Sequence, residues 1–140
     1  MTADDIIAEL NLAPHPEGGW YRQTWIGTEE PRPAGTCIYY LLKPGEESRW
    51  HKVDAAEIWH FYAGSPLILG ISPTMAGPAV DHVLGPDIAA GQRPQIIVPE
   101  GQWQTARSGV GWTLVGCTVS PGFRFDGFEL AEVGFEIPRG

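Results

Sequence analysis

The chain has 140 residues, the size of one ordinary domain, and its 17 acidic against 9 basic side chains give a formal charge of −8. That balance offers no phosphate-neutralising surface for nucleic acid and no basic face for an anionic membrane. With 43% hydrophobic and 19% charged residues the chain can bury a core, and it is not of the disordered type.

No apolar run approaches the roughly 18 residues of a membrane span, and the N-terminus MTADDIIAEL carries acids where a signal peptide needs bases. A cytoplasmic protein is expected. Cys37 and Cys117 fall in apolar, strand-like runs and read as buried, reduced thiols. Without a C-x-x-C pair there is no thiolate zinc site.

In chain order, Thr2 followed three residues later by Asp5 is a capping box, and Ile6, Ile7 and Leu10 then share a helical face, which predicts one short helix ending about Asn11. The phrase PHPEGGWYRQTW makes a turn into a strand over about Trp20 to Trp25, and Thr28 to Gly35 reads as an exposed loop. From there strands and turns alternate: TCIYYLL, RWHKV, EIWHFYAG, PLILGIS, DHVL, PQIIVP, WQTA, WTLVGCTV and FELAEVGFEI. Short β-branched and aromatic runs at this spacing, with 18 glycines and 13 prolines between and around them, predict an all-β sandwich or barrel. In EIWHFY, Glu57, Trp59 and Phe61 alternate with Ile58, His60 and Tyr62, so both faces carry apolar side chains. The second face is expected to pack on another sheet or another subunit. With six tryptophans in the chain, a homodimer is the default expectation.

Nucleotide and hydrolase motifs are missing: there is no G-x-x-x-x-G-K-[ST] stretch, no dinucleotide fingerprint and no G-x-S-x-G elbow. What stands out instead is GEESRWHKVDAAEIWHFYAG, Gly45 to Gly64, with a later segment GQRPQIIVPEGQWQTARS. These resemble the two motifs of the cupins, the first of which sets a His-x-His pair six residues after a glycine, then a glutamate and a closing glycine. Gly45, His51, Glu57 and Gly64 fit that frame, and Pro99 and Gly101 fit the second motif. Three positions depart: Val53 stands at the second histidine, Gln104 at the second-motif histidine and Ser108 at the usual asparagine. The order of PHPEGGWYRQTW, TCIYYLL, SRWHKVDAAEIWHFYAG, VPEGQWQTARS and LVGCTVSPGFRFDGFELA is similar to the cupin_5 domain-of-unknown-function family, over about Ile6 to Glu132. The resemblance implies a double-stranded β-helix, or jelly-roll barrel, with a short N-terminal helix, filling 1–140 as a single domain, usually dimeric and akin to sugar-nucleotide epimerases. It implies no known reaction.

A usual cupin centre sets three imidazoles and a carboxylate on a divalent metal. This chain offers His51, Glu57 and the amide of Gln104, a poor ligand for softer metals, so no cofactor is assigned; a divalent metal, if bound, would take those three. His15 or His60 would be the side chain to join them, although strand alternation turns His60 away from Glu57.

The leading reading is a small polar organic ligand, a sugar derivative or small acid, held in the barrel mouth for metal-independent isomerisation or epimerisation. In it His51 is the base, Glu57 orients it, Gln104 donates to the developing oxyanion and a pocket tyrosine returns the proton. Trp50 and Trp59 are candidates for an apolar wall. Tyr39 and Tyr40 fall on opposite faces, and pattern alone does not choose between them; Tyr40 is taken as the candidate for ligand contact, with Arg107 and Glu129, for which a salt bridge closing the barrel is an equal alternative. His15 and Glu17 are expected first of all to belong to a rigid Gly-Gly turn, with capping of the mouth as the alternative, and His82 to be solvated surface. A non-catalytic binding or sensing module and a metal-dependent enzyme with a reduced ligand set stand as the other readings.

Overall fold

Helix α1 (Ala3–Leu10) opens, in a computed structural model that describes residues 1–140, on the reciprocal contacts its sequence predicts. The Thr2 hydroxyl accepts from the Asp5 N–H at 3.1 Å, and the Asp5 carboxylate accepts from the Thr2 N–H at 2.9 Å. Asn11, left-handed at φ 58°, ends the helix. Ile6 and Leu12 then bury against Leu41, so the helix covers the outside of one strand. Thr2→Ala is expected to cost about 1 kcal/mol in urea unfolding, the usual worth of an N-cap.

Eleven strands follow: β1 (Ala13–Pro14), β2 (Trp20–Ile26), β3 (Thr36–Leu42), β4 (Glu47–Val53), β5 (Ala56–Gly64), β6 (Leu67–Ser72), β7 (Val80–Leu84), β8 (Gln95–Val98), β9 (Trp103–Ser108), β10 (Thr113–Ser120) and β11 (Phe128–Leu130). They form two antiparallel sheets, one in the order β1-β2-β3-β10-β5-β8 and the other β11-β4-β9-β6-β7. Consecutive strands β4 and β5 lie in different sheets, so the turn at Asp54 and Ala55 carries the chain from one to the other. His51 therefore lies near the end of its strand, and Glu57 near the start of the next, on the facing inner walls of a jelly roll. Tyr40, Trp59, Leu69, Val98 and Val115 fill the space between the sheets beyond that point. Each such side chain contributes roughly 1.5–3 kcal/mol by leaving water.

The two outer faces differ. Trp50, Trp103, Ala131 and Ile137 form a second cluster outside the shorter sheet, where the C-terminal segment lies over it and Arg139 sits 5.5 Å from the Trp50 ring. This corrects the reading of FELAEVGFEI as one strand. Only Phe128–Leu130 pair, with β4, and the alternation beyond them serves to set Phe135 and Ile137 on the tryptophans rather than to build a ladder. On the longer sheet Ile58, His60 and Tyr62 point away from the core, as alternation requires, and nothing in the chain fully covers them. Tyr62 is 49% and the neighbouring Ile97 57% exposed. Cys117 is a buried free thiol, whereas Cys37, on the outer face, is only half-buried.

Candidate functional site

Between the sheets, at the end where β4 passes into β5, lies a cavity of about 270 Å³. His15, Glu17, His51 and Glu57 supply its polar wall; Tyr21, Tyr40, Trp59, Phe123 and Phe125 supply its aromatic one. The turn from His15 to Gly19 delivers the first two. Its ends are tied by the His15 N–H to the Gly19 carbonyl at 2.9 Å and it is pinned to β4 by the Arg49 N–H, which donates to the Glu17 carbonyl at 2.8 Å. Gly19 (φ 79°) is required here, because a Cβ would stand 2.7 Å from the Tyr40 hydroxyl, itself donated to the Gly18 carbonyl. The turn is thus rigid, as expected, and also places Glu17 and His15 in the site.

Hydrogen-bond partners assign the imidazole tautomers. His51 Nδ1 lies 2.7 Å from the Arg49 carbonyl, an acceptor only, so that nitrogen carries the proton and Nε2 presents a lone pair 3.7 Å from Glu17 Oε1. His15 Nδ1 accepts the Glu17 N–H at 3.1 Å, so its proton sits on Nε2; the 3.4 Å approach of Glu17 Oε1 to Nδ1 is then no ion pair. Glu17 Oε2 takes the Ser48 hydroxyl. Burial drives the titrations: it pushes Glu17 up and lifts Glu57 to about 7, against the lowering pull of His51, while it pushes His51 and His15 down. Near neutral pH the imidazoles are held uncharged and Glu57 stands between its two forms. Desolvation likewise pushes the Tyr40 hydroxyl and the Cys117 thiol well above their ordinary ranges, so both keep their protons near neutral pH, and the Tyr40 hydroxyl already donates to the Gly18 carbonyl.

Gln104 is spoken for on both ends. Indole N–H only donates, so the Trp59 Nε1 contact at 2.8 Å fixes the amide oxygen, and the amide nitrogen donates to Glu57 Oε1 at 2.9 Å. It lies behind the wall rather than on it, holding Glu57 instead of facing an oxyanion. Trp59→Phe should cost about 1–3 kcal/mol in chemical unfolding, because it strands that buried acceptor. The orienting contact expected from Glu57 to His51 is made instead by the Arg49 carbonyl. The cupin metal set does not fit these residues. The Gln104 oxygen is turned to the Trp59 indole and off the cavity wall, Val53 replaces an imidazole, and no three His, Cys, Asp or Glu side chains are arranged to hold an ion.

Of the other residues singled out from sequence, Tyr40 and Trp59 line the cavity and three do not. Trp50 packs outside the shorter sheet. Arg107 is on the outer face, 3.6 Å from Asp81, and Glu129 pairs with Lys52 at 3.4 Å, so the two do not bridge one another. His60 faces outward to Thr118, at 3.0 Å, and His82 is exposed. The mouth is built by a loop that sequence reading passed over. Phe123 and Phe125 are carried by residues 121–127, which Asp54 anchors: it takes two guanidinium bonds from Arg32, at 2.7 and 3.1 Å, while Arg32 Nε also holds the Gly122 carbonyl at 2.8 Å. The Asp54 N–H meets the Gly127 carbonyl at 3.0 Å.

A double-stranded β-helix with a closed inner site at this end of its two sheets defines a cupin barrel. The chain belongs to the family described as Cupin superfamily (DUF985), whose model matches residues 4–131. Among solved structures it is similar to protein SO0799 from Shewanella oneidensis, at 41% identity over 94% of this chain and 85% of that one, with a TM-score of 0.88. A hypothetical protein from Leishmania major is 30% identical over 94% of this chain and 88% of that one, with a TM-score of 0.83. Oxalate decarboxylase from Bacillus subtilis shares the fold alone: 15% identity over 84% of this chain and 29% of that one, TM-score 0.64. No curated protein matches the sequence. No helix is long and apolar enough to cross a membrane.

Proposed function

We propose that the cavity binds a small polar organic molecule and moves a proton on it, as an isomerase or epimerase does, without a metal. The observation that carries this is the His51 tautomer: its proton is tied to the Arg49 carbonyl, so the Nε2 lone pair is offered to the cavity in which Glu57 stands as a carboxyl near half-ionisation at neutral pH. A neutral base and a carboxyl that still holds a proton near neutral pH, on one small volume, are the elements of proton abstraction and return. Glu17, between His15 and His51, is the second carboxyl able to exchange a proton with His51.

The test is binding followed by exchange. Fragments that shift the ring signals of His15 and His51 in NMR spectra are incubated with the protein in deuterium oxide. Deuterium appearing in a C–H bond of a bound fragment supports the enzyme; binding with no incorporation supports a non-catalytic binding module in its place. We further propose that two copies pair across the outer face carrying Ile58, Tyr62 and Ile97. Sedimentation of a dimer that Tyr62→Glu turns into a monomer is the expected result.

A further inference from the structure

The cavity has no lysine or arginine on its wall, where the imidazoles of His15 and His51 are the only nitrogen bases, and that bears on what it accepts. Glu17 and Glu57 are each 7% exposed, and neither is paired with a lysine or arginine. The nearest basic groups are engaged elsewhere: Arg49 Nη2 donates to the Ala131 carbonyl, and Arg32 and Arg124 are held on Asp54 behind the Phe123 loop. His15 spends its Nδ1 lone pair on the Glu17 N–H and cannot be doubly protonated there without losing that bond. His51 alone can take up a proton toward Glu17. Buried carboxylates are ordinarily paired with a cation or saturated by hydrogen bonds. Glu57 has only the Gln104 amide and the Cys117 thiol as donors, and Glu17 only the Ser48 hydroxyl besides the neighbouring imidazoles.

The rest of the wall is aromatic and the volume is small. At about 270 Å³ the cavity is at the low end for ligand pockets. Tyr21, Phe123 and Phe125 line the same cavity as the two carboxyls. Such a site has acceptors to offer, has rings against which C–H faces can lie, and has no permanent cation with which to neutralise a phosphate or carboxylate.

We infer that the ligand is a monosaccharide-sized molecule bearing no negative charge, whose hydroxyl or amino hydrogens are donated to Glu17 and Glu57. This rests on the reading of the cavity as a ligand site. It removes small acids from the expected substrates, and it removes sugar nucleotides, whose diphosphate would face two carboxyls with no countercharge. Neutral polyols and amines share the donor chemistry, and the test separates them.

The experiment is a fragment screen by NMR at pH 7.5, read on the Trp59 indole and the His15 and His51 rings. The library holds equal numbers of neutral, cationic and anionic compounds of up to about fifteen heavy atoms, roughly the size the pocket range allows. Hits in the cavity are expected to be neutral or cationic, with anions at least tenfold rarer, and the balance between the first two classes tells polyols from amines. The same screen on a Glu17→Gln, Glu57→Gln double variant should admit anions at least tenfold more often. Anions binding the native cavity as often as the others would overturn the inference and leave the ligand site standing. Anions excluded equally by both proteins would also overturn it, because shape and not the carboxyls would then be responsible. A screen with no cavity hit of any charge would defeat the ligand-site reading itself.

Discussion

Replacing His51 by glutamine is expected to slow deuterium incorporation into a bound ligand by about 10²–10⁴-fold, the usual contribution of a positioned base, while ligand affinity changes only a few-fold. Glutamine nearly matches the imidazole in reach, and its amide nitrogen can donate to the Arg49 carbonyl as Nδ1 does, so the strand end at this 1% exposed position keeps its partner. What it lacks is a nitrogen that can take a proton. A thermal midpoint close to that of the native protein would confirm that the fold is kept. The pH profile carries the same signature. His51, pushed down by burial, is already neutral near pH 6.5, whereas the Glu57 carboxyl ionises around 7. The rate should therefore fall on the alkaline side as Glu57 loses its proton around 7, and on the acid side only below the ordinary imidazole range, where His51 takes one up. The two apparent values belong to the coupled pair rather than to either residue. Exchange that survives intact in the His51→Gln protein would show that another group is the base.

Much of this site could be read from strand parity. His51 with Val53, Glu57 with Trp59 and Gln104 with Ala106 all face inward as period-two alternation requires, and the same rule chooses Tyr40 over Tyr39 once Leu42 is known to be core. The expectation that set Trp50 and Arg107 in the site leaves that rule out; applied, it turns each outward as the neighbour of an inward residue, and the structure places both outside. Glu129 was misread for a different reason. Its short strand lies at a sheet edge beside Lys52, and only the pairing of β11 with β4 reveals which neighbour it meets. The roles of His15 and Glu17 depend on where a turn is pinned, through the Arg49 N–H, on a strand some thirty residues away. No local pattern encodes that. Phe123 and Phe125 were hidden similarly: a loop has no period, and this one is placed by the Arg32 and Asp54 side chains acting from two other loops.

Glu57→Gln is expected to stabilise the protein by up to about 3 kcal/mol at pH 8 and by close to nothing near pH 4.5, in urea unfolding followed across that range. In the unfolded chain the carboxyl titrates near its ordinary 4.5, but in the fold burial raises it to about 7. Between those values the native state holds a proton that the unfolded state has released. The contribution of Glu57 to stability is thus fully present below pH 4.5 and is lost as pH rises through 7. His15 and His51 run the other way: lowered by burial, they bind fewer protons in the fold than out of it, so their contribution grows as pH rises toward 6.5 and is complete above it. Comparing the two proteins at each pH largely cancels the histidines and leaves the carboxyl. The amide fits the place, since its oxygen can accept the Gln104 N–H that Glu57 Oε1 accepts now. A variant less stable than the native protein at pH 8 would mean that the ionised carboxylate is supported in the cavity by charge that the arrangement of His51, Glu17 and Gln104 does not supply. The expected gain has a functional counterpart, because a protein that becomes more stable when it loses one buried carboxyl is holding that carboxyl in place against its own folding energy. Sites that do so are where proton chemistry or ligand recognition is found.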